Sequence, residues 1–438
     1  MKVLKFGGTS VGSAQRMKEV AKLIYDGNQN LVVLSAMSGT TNSLVAISDF
    51  LYKNNYDGAN QIIDHLAEKY AGVIDELYST QAYRDQAHEF IRSHLNCIRS
   101  LEKDLFTSIE ERIILAQGEL MSTNMVNLYF QEKGVNSVLL PALEYMRTDE
   151  NAEPDTVFIK EKLIALLKKY PDAAFYITQG YICLNANGEI DNLQRGGSDY
   201  TASLVGAAVD AEEIQIWTDI DGMHNNDPRI VNKTSPVRNL NFEEAAELAY
   251  FGAKILHPTC ILPAKTNNIP VLLLNTMQPE APGTTISNDL EKDKIKAVAA
   301  KDNIIAIKIK SSRMLLATGF LRKVFEIFET WHTPIDMVTT SEVGVSITID
   351  NPKYLDKIVN DLKKYGTVNV DKDMVIVCVV GDLELNNVGF EAEIVNALKD
   401  IPIRMISYGG SNFNVSFLIK SIDKKRALQA LSEYLFDD

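Results

Sequence analysis

The chain is poor in cysteine, in positive charge and in long apolar runs. Its four cysteines, Cys97, Cys183, Cys260 and Cys378, are far apart and form no C-x-x-C pair. That spacing supplies neither a disulfide framework nor a zinc site, and fits reduced thiols in the cytoplasm. His224 and His257 share no metal-ligand spacing, so no protein metal site is expected. Lysine and arginine total 44 against 58 acidic residues, a net charge of −14. An acidic surface excludes a nucleic acid or an anionic membrane held by a general basic field. It leaves room for a small anion bound by a local positive cluster. No apolar run reaches the ~18 residues of a membrane span. The chain opens on a strand candidate rather than on a charged and then apolar leader. What remains is an ordinary globular composition, 46% hydrophobic and 23% charged over 438 residues. Two to four domains fit that length.

The most informative stretch is Lys5-Phe6-Gly7-Gly8-Thr9-Ser10, directly after the apolar Met1-Lys2-Val3-Leu4. A lysine at the carboxyl end of a strand, two glycines, and hydroxyl residues read as opening a helix make a phosphate cradle. The glycines let backbone N–H groups approach an anion, the helix start adds donors, and the lysine adds a point charge. The stretch is neither a Walker A loop nor G-x-G-x-x-G. Taken alone, glycines after a strand are more often a plain turn.

The first two-thirds alternate strand and helix patterns. Short apolar runs at 31–36, 138–140, 174–178, 214–218 and 271–274 read as buried parallel strands, and 60–129 reads as almost wholly helical. Strands separated by helices imply a mainly parallel sheet with ligands at the strands' carboxyl ends. A boundary falls near Pro282-Gly283-Thr284. Beyond it, β-α-β-β-α patterns recur over 304–370 and 374–435, a tandem repeat of ferredoxin-like type. Residues 295–299 are expected to complete the second sheet, so that the two repeats interleave.

Three further motifs carry chemistry. Arg195-Gly196-Gly197-Ser198-Asp199-Tyr200-Thr201 joins an arginine fork to a glycine pair, suited to a carboxylate. It is equally readable as a loop capped by Asp199. Trp217-Thr218-Asp219-Ile220-Asp221-Gly222 suits a nucleotide's ribose or base, or is an Asp-Gly turn. Phe251-Gly252-Ala253-Lys254 offers a second phosphate-facing lysine, or a helix end before Pro258. Glu119, within a helical stretch, could bind an ammonium; a glutamate in such a place is more often simply solvated.

Together and in this order, these motifs resemble the aspartate kinases of the amino acid kinase family over essentially the whole chain. Thr41-Asn42, Gly118-Glu119-Leu120-Met121-Ser122, Arg147-Thr148, Ile177-Thr178-Gln179-Gly180 and Asp227-Pro228-Arg229 fall in register with the segments above. The resemblance implies an αβα-sandwich α/β kinase domain over 1–290. It implies two interleaved βαββαβ ACT domains over 291–438, at about 301–371 and at 372–438 with strand 295–300. It also implies ATP-dependent phosphorylation of the aspartate side chain to 4-phospho-L-aspartate, the first step toward lysine, threonine and methionine. The length leaves no room for a fused homoserine dehydrogenase. A silent amino-acid sensor and a kinase for another acidic amino acid are the rival readings, and intact Lys5, Arg195 and Asp199 argue against the sensor.

By position, the resemblance makes Lys5 and Asp199 catalytic. Thr41, Glu119, Arg195, Gly196, Gly197 and Ser198 would hold aspartate. Lys5, Phe6, Gly7, Gly8, Thr218, Asp219, His224, Arg229, Lys254 and Ile255 would line the ATP site, with Mg²⁺ carried mainly by the ATP phosphates. Met314, Gly319, Phe320, Leu321, Asp336, Thr340, Ser341 and Glu342 would bind an effector amino acid, lysine ahead of threonine. A homodimer or homotetramer in the cytoplasm is the implied assembly.

Overall fold

The computed structural model describes residues 1–102, 105–193, 196–252, 257–311, 318–384 and 388–436. Arg195, Lys254, Ile255 and Met314 therefore lie outside the described residues. Two compact units emerge, Met1–Met223 with Ile255–Asn288, and His224–Lys254 with Asp289–Asp438. No helix among the described residues is long and apolar enough to cross a membrane.

In the first unit, four consecutive buried residues make β1, Val3–Phe6. It is followed by β2 (Leu31–Leu34), β3 (Ser137–Leu140), β4 (Phe175–Gln179), β5 (Ile214–Thr218), β6 (Val271–Asn275) and β7 (Thr284–Ser287). These seven lie in one sheet in the order β7-β6-β5-β1-β2-β4-β3. All pair in parallel except β7, which runs antiparallel to β6. Helices α1 (Ala14–Ile24), α2 (Thr40–Tyr52), α3 (Tyr56–Leu77), α4 (Gln81–Ser100), α5 (Ser108–Glu132), α6 (Thr156–Lys169) and α7 (Gly197–Ala208) belong with it. The proline-free 60–129 stretch resolves into α3, α4 and most of α5. Helix α5 starts with a Thr107–Glu110 capping box and is buried nearly all round. That placement takes Glu119 out of water.

One local expectation fails. Thr9 and Ser10 do not open a helix; residues 8–11 form a turn, and α1 starts at Ala14. Ser13 caps it by accepting from the Arg16 N–H. A serine poised three residues before a free N–H is the stronger helix start. The turn itself is closed by Ser10 and Val11 N–H groups on the Gly7 carbonyl.

The second unit contains α8 (Phe242–Tyr250) and a six-stranded sheet. Its strands are β8 (Ile295–Lys310), β9 (Val338–Ser341), β10 (Gly344–Ile349), β11 (Thr367–Gly381), β12 (Ile403–Tyr408) and β13 (Asn414–Lys420). The order is β9-β10-β8-β11-β13-β12, and every pairing is antiparallel. Helices α9 (Phe320–Thr330), α10 (Leu355–Leu362), α11 (Phe390–Ala397) and α12 (Lys424–Phe436) cover it. Residues 295–299 and 304–309 are one strand rather than two. The break expected at Lys301-Asp302-Asn303 is a register shift, with Asn303 at φ 61. Likewise 368–370 and 374–380 are one strand, β11. Strand β9 begins at Val338, although the Asp336 N–H ahead of it already donates to the Thr348 carbonyl of β10 at 2.9 Å.

Candidate functional site

The carboxyl ends of the central parallel strands converge on one cavity of about 270 Å³. It is lined by Lys5, Ser35, Thr41, Glu119, Tyr181, Gly196, Gly197, Ser198 and Asp199. So six separate segments of sequence meet, as the strand-end rule for parallel sheets requires. A larger cavity of about 820 Å³ adjoins it and shares Tyr181, Gly196 and Gly197.

Lys5 is the third residue of β1, flanked by Val33 of β2 and Ile216 of β5. Its stem is buried, and its ammonium lies 2.6 Å from Asp199 Oδ1. That oxygen has no hydrogen-bond partner, so the contact is one of charge alone. Asp199 sits in the first turn of α7, whose N-cap is Gly196 rather than the aspartate. Gly196 must be glycine. Its φ is +77°, and a Cβ would lie 2.5 Å from Cys260 Sγ. The helix N-terminus at the cavity is thus that of α7, which points N–H donors and a positive dipole end at it.

Glu119 is 4% exposed. Its Oε1 accepts the Ala36 N–H at 3.1 Å, while its Oε2 is buried with no partner. Burial pushes its pKa up to about 8. A carboxyl with one unsatisfied oxygen facing a small polar cavity is ready for a cation that brings its own charge.

Two lining residues escaped the motif reading, Ser35 and Tyr181. Each stands one residue or two beyond the end of a parallel strand, and that position was the available signal. Tyr181 adopts φ 69, and its N–H donates to Thr201 Oγ1 at 3.0 Å. Burial raises its hydroxyl to about 12, so it stays a neutral donor.

Other expected residues lie apart. The Phe6 ring is fully buried and stacks on Trp217 at 5.7 Å, leaving only its backbone for a ligand. Gly7 and Gly8 form the turn beside Lys5, and the Gly8 carbonyl accepts the Ser38 N–H at 3.1 Å. Thr218 ends β5 and Asp219 follows it; Thr218 Oγ1 accepts from the Ile220 N–H. Asp221-Gly222 is a structural turn, in which Asp221 Oδ1 accepts the Gly283 N–H at 3.0 Å. His224 and Arg229 belong to the second unit. There His224 Nδ1 is 2.9 Å from Thr234 Oγ1, and Arg229 forks onto Asp227 at 2.7 and 2.9 Å.

The expected effector positions also lie in the second unit. Gly319 caps α9 at φ 84, Phe320 is buried in the core, and Leu321 is partly exposed. Thr340, Ser341 and Glu342 are exposed at the end of β9. Asp336 is buried: Oδ1 accepts from Lys301 Nζ at 2.6 Å and from Tyr250 Oη at 3.0 Å. Its Oδ2 is buried with no partner.

The amino acid kinase family model matches residues 1–275, and an ACT domain model matches 377–435. Lysine-sensitive aspartokinase 3 of Escherichia coli is 32% identical over 448 residues, spanning 99% of both chains. Chloroplastic aspartokinase 1 of Arabidopsis thaliana is 34% identical over 459 residues, covering 99% of this chain and 80% of that one. The crystal structure of E. coli aspartokinase III with aspartate and ADP aligns over 100% of both chains, with TM-score 0.87 and 32% identity. The same enzyme with lysine and aspartate aligns over the same extent, with TM-score 0.82 and 33% identity.

Proposed function

This chain belongs to the amino acid kinase family and within it is an aspartokinase, an allosterically regulated phosphotransferase, and on that premise we propose how its cavity works. L-aspartate occupies the cavity with its ammonium on Glu119. Thr41, Gly196, Gly197, Ser198 and Arg195 hold its carboxylates, Arg195 by resemblance alone. ATP lies over Lys5, the Gly7-Gly8 turn, Thr218 and Asp219. A β-carboxylate oxygen attacks the γ-phosphorus in line, the bond to the ADP oxygen breaks, and 4-phospho-L-aspartate and ADP result. The attacking carboxylate is already ionised at neutral pH, so no strong base is needed.

Catalysis is then positioning and charge neutralisation. Lys5 supplies charge to the migrating phosphoryl group, and Asp199 holds Lys5 without using up its donors. The observation that carries this reading is the Lys5–Asp199 contact beside the spare Glu119 oxygen in one cavity. Among the described residues no cluster of three or more His, Cys, Asp or Glu is arranged for a metal ion. Mg²⁺ in this reading arrives on the nucleotide phosphates, whose charge it offsets.

The effector is proposed to be lysine, with its carboxylate on the backbone N–H groups at Gly319–Leu321 and its ammonium on the spare Asp336 Oδ2. A homodimer or homotetramer is the proposed assembly, by resemblance to the family. The test is ADP release with aspartate, glutamate and N-acetylglutamate in turn, then with lysine or threonine added. Turnover with aspartate, inhibited by lysine, is expected. Turnover with another acid would overturn the substrate, and inhibition by threonine alone would overturn the effector.

A further inference from the structure

The turn from Ser35 to Gly39, between β2 and α2, and Thr41 in the first turn of α2 bring two lining residues to the cavity. The turn's backbone is tied to the site on one side. Ala36 N–H reaches Glu119 and Ser38 N–H reaches the Gly8 carbonyl. Ser122 Oγ donates to the Ser35 carbonyl at 2.8 Å. On the other side it is gripped by two consecutive residues of α3, a helix that contributes nothing to the cavity wall. Lys69 Nζ donates to the Ser38 carbonyl, and Tyr70 Oη lies 3.1 Å from Thr40 Oγ1, both of the latter buried. Between those two grips sits Gly39 at φ +79, the residue that turns the chain into α2. Its absent Cβ would lie 3.5 Å from Lys69 Nζ.

Lys69 is unusual for a helix lysine. Such side chains normally extend the ammonium into water. Here it is drawn against a neutral carbonyl, and burial lowers its pKa with no acidic side chain to offset the effect.

We propose that Lys69 is a positioning residue of the phosphotransfer site, pinning the Ser38 carbonyl so that the left-handed Gly39 step presents Thr41 to aspartate. The proposal rests on Thr41 being a substrate contact. The turn ahead of α2 is closed by the Thr40 N–H on the Met37 carbonyl, and α3 supplies its outer support.

The experiment uses the full chain with Lys69→Met, Lys69→Arg and Thr41→Ala. Lys69→Met is expected to raise the aspartate KM about tenfold, the scale of one charge-assisted hydrogen bond. The ATP KM and the melting temperature should stay near the parent. Lys69→Arg, which can still donate to Ser38, should restore the aspartate KM to within about twofold of the parent. An unchanged aspartate KM in Lys69→Met, with Thr41→Ala raised, overturns the positioning role alone. An unchanged KM in Thr41→Ala overturns the substrate contact on which it rests. A lowered melting temperature with unchanged KM would make Lys69 merely structural and also overturn the proposal. Should methionine perturb folding, Lys69→Gln carries the same test, and a parental KM in that folded variant likewise overturns the positioning role.

Discussion

Each compact unit contains a lysine–aspartate pair drawn to 2.6 Å, Lys5–Asp199 in the first and Lys301–Asp336 in the second. The distance is the same and the surroundings are not. Lys5 meets its aspartate by charge alone and faces a cavity. Lys301 hydrogen-bonds Asp336, also reaches Asp350 at 3.1 Å, and lies 4.4 Å over the Tyr250 ring. Burial would lower the Lys301 ammonium, but Asp336 and Asp350 outweigh it and hold it above the ordinary lysine value. The lesson is that pair distance does not report on availability. What separates a lysine ready for a ligand from a lysine spent on a structural fastening is how many of its donors remain uncommitted.

The largest effect should come from breaking the fastened pair. Lys301→Met leaves Asp336, 2% exposed at its side chain, without its principal charge partner. A loss of about 3–5 kcal/mol is expected by urea denaturation, the scale for a buried charge stripped of its partner. Lys5→Met, beside an open cavity, should cost much less. Equal losses would erase the distinction between the pairs.

Activity should show the reverse order. Lys5→Ala is expected to lower kcat by about 10²-fold or more, as removal of one preorganised charge does, in a protein that melts near the parent temperature. Near-parental kcat would take Lys5 out of the transition state.

The smallest expected effect, and the one that sharpens the picture of the cavity, concerns pH. Glu119 is held neutral below about pH 8 by burial, and an ammonium ligand needs it ionised. Below that value aspartate binding must therefore release a proton. Its KM should rise about tenfold for each unit that the pH falls, since one pKa unit is a tenfold change in the competing equilibrium. Above pH 8 the slope should vanish. Glu119→Gln should bind aspartate weakly and without this slope, and a slope unchanged in that variant would assign the titration elsewhere.

The parallel strands were legible because short, mostly apolar runs bounded by glycine or polar turns have few other fates. The lysine at the end of β1 and the glycine pair before α7 were legible as anion-binding chemistry for the same local reason. Glu119 was not. Its helix pattern alone suits a solvated glutamate, and it is buried only because α5 is packed nearly all round, with Gly118 set against Ala36. Nor was the length of β8 and β11 readable. Lys301-Asp302-Asn303 and Asp371-Lys372-Asp373 look like loops by composition, yet they are the crossing point of two long strands whose ladder tolerates a register shift there. Lys69 left no local trace at all, because its partner lies 31 residues away on another element.

Those two strands carry a consequence for anyone wishing to exchange the regulatory half of this enzyme piecemeal. Strand β8 pairs with β11 from Ile295 opposite Gly381 to Lys310 opposite Thr367. One end of that ribbon borders β10 and the other end of β11 borders β13. A cut between the two sequence repeats passes through the middle of a hydrogen-bonded strand, not through a linker. Either repeat lifted out alone would leave behind half a strand and take away an unpaired edge. The portable module is the whole six-stranded sheet, and a chimera joined at residues 371–374 would draw the two halves of β11 from different parents and break the ribbon it forms with β8.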